Sequence, residues 1–297
     1  MPPSYREGAT SFFAEELLRY VRIYCTRITL PGFGGRNTAR ATLVTFHAHP
    51  DDEAIGCAGT MARAAAEGHR VVLVSATRGE HGEVPEGFLK EGDILGEVRV
   101  EETRRAAEIL GVERLEFLGY SDSGMMGTPE NELEEAFWQA DIEEAAARLR
   151  DILVDEGAEV LTIYDSDGTY GHPDHIQVYR VGMRAAEMAG TPRIYESVTP
   201  KEQIQESMKR MVESGMDLPF DPAEIDLGVP EATITTTVDV REFLPLKRKA
   251  MQAHASQIPE ESFFLSMPPD MFEEGFGTEH YRRVGAPPGT TETWLFD

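Results

Sequence analysis

From residue 41 the chain alternates short, almost wholly apolar runs with longer amphipathic ones, and each apolar run opens into a polar or glycine-rich loop. Thr42-Leu43-Val44-Thr45-Phe46-His47 reads as a strand, followed by a helix over about 55–67 closed by Gly68 and a second strand over 70–76. A polar loop runs to about residue 94, and a helix over about 97–110 stops at Gly111, as a C-cap glycine would stop it. A short strand at 115–118, a long acidic helix over about 132–156, a strand at 159–164 and a helix over about 174–188 follow. Strands this uniformly apolar have no face to show to water. They belong in a parallel sheet covered by helices on both sides. The expected class is therefore α/β, with a Rossmann-like, mostly parallel sheet flanked by helices.

The remainder is less regular. Residues 191–297 suggest strands near 193–198 and 232–239 and helices near 200–214 and 242–256. No clear linker precedes them, so residues 41–297 are read as one domain whose last third roofs the site. Residues 1–40 read as an extension with one apolar helix from Phe12 to Tyr24, broken by Pro31-Gly32-Phe33-Gly34-Gly35. That helix either packs on the domain's own surface or makes a homo-oligomer contact.

Open α/β sheets place ligand sites outside the carboxyl ends of their strands. Two clusters of imidazole and carboxylate fall there: Ala48-His49-Pro50-Asp51-Asp52-Glu53 after the first strand, and Gly171-His172-Pro173-Asp174-His175 after the strand at 159–164. No GxGxxG follows the first strand, which disfavours a dinucleotide site. A hydrolytic zinc site needs three protein ligands and an open position. His49 and Asp52, three apart across a turn, can point to one spot, and His175 supplies a third ligand from a neighbouring strand end. Asp51 is then left as a general base, and His172, as imidazolium, as a group that steadies an oxyanion or protonates a leaving amine. Asp174 would orient a histidine. Taken singly, each cluster could be a helix cap. Two of them at strand ends argue for a metal.

Net charge is −25, with 53 acidic against 28 basic residues. Nucleic-acid backbones and anionic membranes both call for a basic surface, so neither is an expected partner. No secretory signal or membrane-spanning run is visible, and the default location is cytoplasmic. The two cysteines, Cys25 and Cys57, make no disulfide framework, and Cys57 reads as a small buried residue.

The chain resembles the LmbE/PIG-L deacetylase family, whose signatures are AHPDDE and a downstream HPDH. Leu95-Gly96-Glu97-Val98-Arg99, Gly79-Glu80-His81-Gly82-Glu83-Val84, Ala107 to Val112, Asp122-Ser123-Gly124-Met125 and Tyr170-Gly171 look like the mycothiol branch of that family. The likeness covers about residues 42–190, with a weaker echo in Lys249 to Gln257. It implies a zinc enzyme, with Fe2+ the alternative native metal, that removes acetyl from an N-acetylglucosaminyl small molecule. It also implies His49, Asp52 and His175 as ligands, Asp51 as base, His172 as the oxyanion-stabilising acid and Tyr170 as a mobile tyrosine at the carbonyl. Arg99, Asp122 and Met125 match positions that hold the sugar or its inositol aglycone. For these three the resemblance is the only warrant. Alone they read as a surface arginine, a turn aspartate and a core methionine.

Other histidines read as structural: His47 as a satisfied core residue rather than a second-metal ligand, His69 at a strand entrance, and His254, in a helix, as packing rather than lining the pocket. Arg78 and His81, in the 77–94 loop, could alter substrate choice. A mycothiol S-conjugate amidase shares every motif above and is the first rival. A deacetylase of another acetamido sugar and a non-catalytic sugar-binding module are the others.

Overall fold

A computed structural model of the chain describes residues 40–213 and 227–297. The helix expected at 12–24 lies outside them. Seven strands form one sheet: β1 (Thr42–His47), β2 (Arg70–Ser75), β3 (Arg114–Phe117), β4 (Val160–Tyr164), β5 (Arg193–Val198), β6 (Thr236–Asp239) and β7 (Thr278–Arg283). Their spatial order is β3-β2-β1-β4-β5-β7-β6. The first five are parallel to one another, and β7 runs antiparallel to both β5 and β6. The sheet is thus mostly parallel, as expected, and ends in an antiparallel edge.

Alternate residues of the central strands point into two separate cores. Leu43, Val71, Leu73 and Val160 pack with Met61, Leu110, Met251 and Tyr281 on one face. Val44, Phe46, Val72, Val74, Leu161 and Ile163 pack with Phe137, Leu149, Val178 and Val181 on the other. At about 1.5–3 kcal/mol for each large side chain buried, this two-sided arrangement explains why the strands carry almost no polar face.

The principal helices are α1 (Asp52–Gly56), α2 (Ala58–Ala66), α3 (Leu95–Leu110), α4 (Ile142–Asp155), α5 (Pro173–Ala189), α6 (Lys201–Glu213) and α7 (Leu244–Ala253). Gly111 ends α3 at φ 75, in the left-handed conformation expected of it. The acidic helix expected over 132–156 is shorter. Its first part is two single 3-10 turns, Pro129–Glu132 and Phe137–Gln139, and α4 starts only where the Asp141 carboxylate accepts from Glu144 N at 3.0 Å. Phe137, fully buried, anchors the turns to the core. The strand expected at 232–239 is likewise trimmed, because residues 231–233 form a 3-10 turn behind Pro230. Strand β7 was not anticipated. Among the described residues no helix is long and apolar enough to cross a membrane.

Candidate metal centre

The strand order reverses direction between β1 and β4, so the connections leaving their carboxyl ends run to opposite sides and leave a crevice between them. The loop after β1 brings His49, Asp51 and Asp52 to one side of it, and the loop after β4 brings Tyr170, His172, Asp174 and His175 to the other. His49, Asp52 and His175 offer ligand atoms that all lie within 4.8 Å of one another. Asp52 stands 3.5 Å (Oδ2) from His49 Nδ1 and 3.4 Å (Oδ1) from His175 Nε2. Those separations are close to the ~3.4 Å edge of a tetrahedron of ligands held ~2.1 Å from a metal. All three residues are buried or nearly so.

His49 Nε2 lies 3.0 Å from Asp174 Oδ2, so its Nδ1 is left facing Asp52. This is the carboxylate–histidine arrangement that fixes tautomer and ring orientation in metal sites. Asp174 is fully buried and is itself held: Ser123 N donates to Oδ2 at 2.9 Å, and the Ser123 hydroxyl donates to Oδ1. The histidine that Asp174 faces is His49. Burial opposes charge on His49, yet hydrogen bonds to Asp122, Asp174 and Asp52 push its pKa well up. Burial also works against the Asp52 carboxylate, but His175 and His49 hold it well below the usual range. The crevice is built to hold positive charge, and the donor set suits a divalent ion.

Asp51 sits beside this set with φ 99 and ψ −29, left-handed backbone that a non-glycine residue seldom adopts. Burial lifts its carboxyl to about 7, against the pull of Arg99. Arg99 is buried, not at the surface. Its Nη1 donates to Gly79 O at 2.7 Å, and its Nη2 lies 2.6 Å from Pro50 O and 3.3 Å from Asp51 Oδ2. A Cβ on Gly79 would run into the Arg99 guanidinium, and one on Gly82 into both that guanidinium and the Gln257 amide.

His172 accepts from Asp174 N through Nδ1 at 3.1 Å, as the N-cap of α5, so its Nε2 carries the proton. Burial and the neighbouring His49 bring its pKa down to about 4. The imidazolium expected at 172 is therefore corrected to a neutral imidazole that donates from Nε2. Tyr170 is half exposed at the rim, follows the strained Thr169 (φ 65), and places its hydroxyl 3.4 Å from His175 Nε2.

Asp122 is buried in the network. Its Oδ1 lies 3.5 Å from His49 Nε2, and its oxygens accept from Gly124 N and His81 N. Met125 is 49% exposed, so the bare reading of it as a core methionine is wrong. His47 bonds Tyr164 Oη at 2.9 Å, and His69 accepts from Ala41 N; both are structural, as expected. Sequence reasoning gave no part to Tyr164, whose ring stacks on His175 at 4.2 Å, or to Ser123 and Glu53. A tyrosine that closes an apolar strand and a serine in a loop carry no signal of these contacts.

Comparison with known proteins agrees with this geometry. Residues 44–186 match the PIG-L family, described as GlcNAc-PI de-N-acetylase. A 1D-myo-inositol 2-acetamido-2-deoxy-alpha-D-glucopyranoside deacetylase of Geodermatophilus obscurus is 38% identical, over 88% of this chain and 97% of its own length. One of the same name from Nocardiopsis dassonvillei is 42% identical, over 84% and 98%. Among solved structures, the N,N'-diacetylchitobiose deacetylase of Pyrococcus horikoshii superposes with a TM-score of 0.53 at 22% identity, covering 97% of this chain and 96% of that one. The 4-carboxy-2-hydroxymuconate hydratase of Pseudomonas putida also shares the fold, at a TM-score of 0.53 and 18% identity over 83% of this chain and 97% of that one. Architecture alone therefore does not select the reaction. At about 40% identity over most of its length, the chain belongs to the PIG-L family of deacetylases.

Proposed function

We propose that this protein is a metal-dependent N-deacetylase that removes acetyl from an N-acetylglucosaminyl small molecule, with N-acetylglucosaminyl-inositol as the substrate. The observation that carries the reading is the approach of His49, Asp52 and His175 within 4.8 Å, with Asp51 alongside. The names of the relatives at about 40% identity point to the same acetamido sugar.

In this reading His49, Asp52 and His175 hold the ion, and Asp174 keeps His49 oriented. A divalent ion there, zinc in our reading and Fe2+ as the alternative, supplies a Lewis acid for the amide carbonyl and acidifies the attacking water. Asp51 takes the water's proton, and a carboxyl near neutrality is suited to give that proton on to the departing amine. His172 Nε2–H donates to the oxygen on which negative charge develops, with Tyr170 reaching the same point from the rim. Arg99, Asp122 and Met125 are assigned to the sugar and its inositol by the family's pattern. Arg99 and Asp122 are buried in the hydrogen-bonded network around the ligands, and Met125 is exposed. Acidic overall and selective for a small amino-sugar conjugate, the enzyme belongs in the cytoplasm.

The test is a hydrolysis panel on zinc-loaded protein, read by free-amine detection. Acetate release from N-acetylglucosaminyl-inositol, well above that from other acetamido sugars, supports the reading. Preferential cleavage of a bimane conjugate of mycothiol would replace it with an S-conjugate amidase. No hydrolysis of any amide would overturn it.

A further inference from the structure

The glutamate that ends the first cluster takes no part in the chemistry above, yet it is almost wholly buried against the base. Its Oε2 accepts from Asp51 N at 3.0 Å, and its Oε1 lies 2.5 Å from Nε2 of His254, which is fully buried and 201 residues away in sequence. The acceptor is thus aimed at the one peptide N–H of the loop whose residue stands in left-handed backbone, Asp51 at φ 99. Such strain persists only where the surroundings over-determine it.

His254 is fixed in turn. It follows α7 with φ −90 and ψ 49, and its carbonyl accepts from Gln257 N and Ile258 N. The two residues beyond Ala255 then reach the helix and the loop that hold Arg99. Ser256 donates from N (2.8 Å) and from its hydroxyl (2.6 Å) to Glu102 on α3, one turn from Arg99. Gln257 Nε2 donates to Glu83 O at 3.1 Å, in the loop that also takes the Arg99 guanidinium through Gly79 O. Residues 254–257 therefore support both the backbone of Asp51, through Glu53, and the helix whose arginine meets its carboxylate.

We propose that Glu53 and His254 are positioning residues: through the Asp51 N–H they hold residue 51 in its left-handed conformation and so aim its carboxylate at the attacking water. This rests on the reading of Asp51 as the base. Neither residue touches the substrate. Loss of either lets the peptide at 51 relax and swings the carboxylate off line while the three ligands stay in place.

The experiment compares Glu53→Ala and His254→Ala with the conservative Glu53→Gln and His254→Gln, on full-length zinc-loaded protein and N-acetylglucosaminyl-inositol. Supporting groups of this kind shift activity by about 10- to 100-fold, so each alanine variant should lose that much kcat with KM and zinc content unchanged. Glutamine at 53 still accepts from Asp51 N–H, and glutamine at 254 keeps a nitrogen near the lost Nε2. Each should bring kcat back to within about threefold of wild type. Crystal structures give a readout independent of turnover: residue 51 should return to negative φ in the Glu53→Ala variant. Loss of zinc together with kcat, failure of both glutamine variants to recover, or an unchanged φ at residue 51 would each overturn the proposal. If the wild-type enzyme hydrolyses no acetamido sugar, the functional reading fails, and the crystal structures still decide whether Glu53 and His254 hold the loop.

Discussion

Replacing Asp51 separately by alanine and by glycine isolates the strain stored at the base. Both changes remove the carboxylate and its contact with Arg99, so the difference between them reports the backbone. At φ 99 and ψ −29, alanine keeps a conformation that costs about 1–3 kcal/mol, and glycine does not. Glycine gives back about 0.5–1 kcal/mol through the greater freedom of its unfolded chain. The glycine variant should therefore be the more stable, by up to about 2.5 kcal/mol, the reverse of the order at an ordinary position. For a chain of this size that is up to roughly 4 °C in Tm. Urea or thermal melts of the two chelator-treated variants, run side by side, measure it, and neither variant should turn over substrate. An alanine variant more stable than the glycine variant would refute the strain argument.

Three further outcomes follow from the same geometry. His175→Ala should purify without metal, whereas Asp51→Ala should keep its zinc and lose nearly all turnover; elemental analysis with a rate assay separates the two, and a metal-free Asp51→Ala would reverse the assignments. Asp174→Asn disturbs the bond that orients His49 and should weaken zinc binding about 10- to 100-fold, measured by competition with a chromogenic chelator; unchanged affinity would leave that bond without a role. Hydrogen bonds from Arg70 and Arg114 draw the Glu156 carboxyl down to about 2. Because that folded-state value lies below the unfolded one, these ion pairs stabilise above about pH 4.5, and the contribution fades as pH falls toward 2. Glu156→Gln should cost about 1–2 kcal/mol at neutral pH, since the arginines are partly exposed and solvent screens them. A stability gap between this variant and wild type that shrinks already between about pH 8 and pH 5 would contradict the assignment.

Much of this was legible because it is local. The apolar strands announce a two-sided sheet, and His49, Asp52 and His175 sit at spacings and strand ends that leave few other uses for them. The parts that could not be read depend on long-range contact. Arg99 looked like a surface residue because nothing in sequence says that Gly79 and Gly82 yield the space its guanidinium fills. His172 looked like a cation because its N-cap bond to Asp174 N and the burial that neutralises it are tertiary facts. Strand β7, Thr-Glu-His-Tyr-Arg-Arg, has only one apolar side chain to give it a pattern, and its Glu279 and Tyr281 face inward to partners elsewhere in the chain. The acidic stretch at 132–141 mimics a helix in composition, while Phe137 and the Asp141 cap decide otherwise.

Glu279 has a consequence for how the molecule is made. From β7 it accepts the N–H groups of Gly59 and Thr60 at 2.9 and 2.7 Å, closing the start of α2, and it pairs with the buried Lys247 at 2.6 Å. His254 meets Glu53 from the same late part of the chain. A nascent chain that has emerged from the ribosome as far as residue 240 already holds all three ligands and the His47–Cys57 contact, yet lacks Glu279 and His254, whose side chains hold Gly59, Thr60 and Glu53. The back of that segment is thus closed last, by residues synthesised last. A chain cut short before β7 would keep the contacts of His49 with Asp174 and of Asp174 with Ser123, and would lose those that close the start of α2.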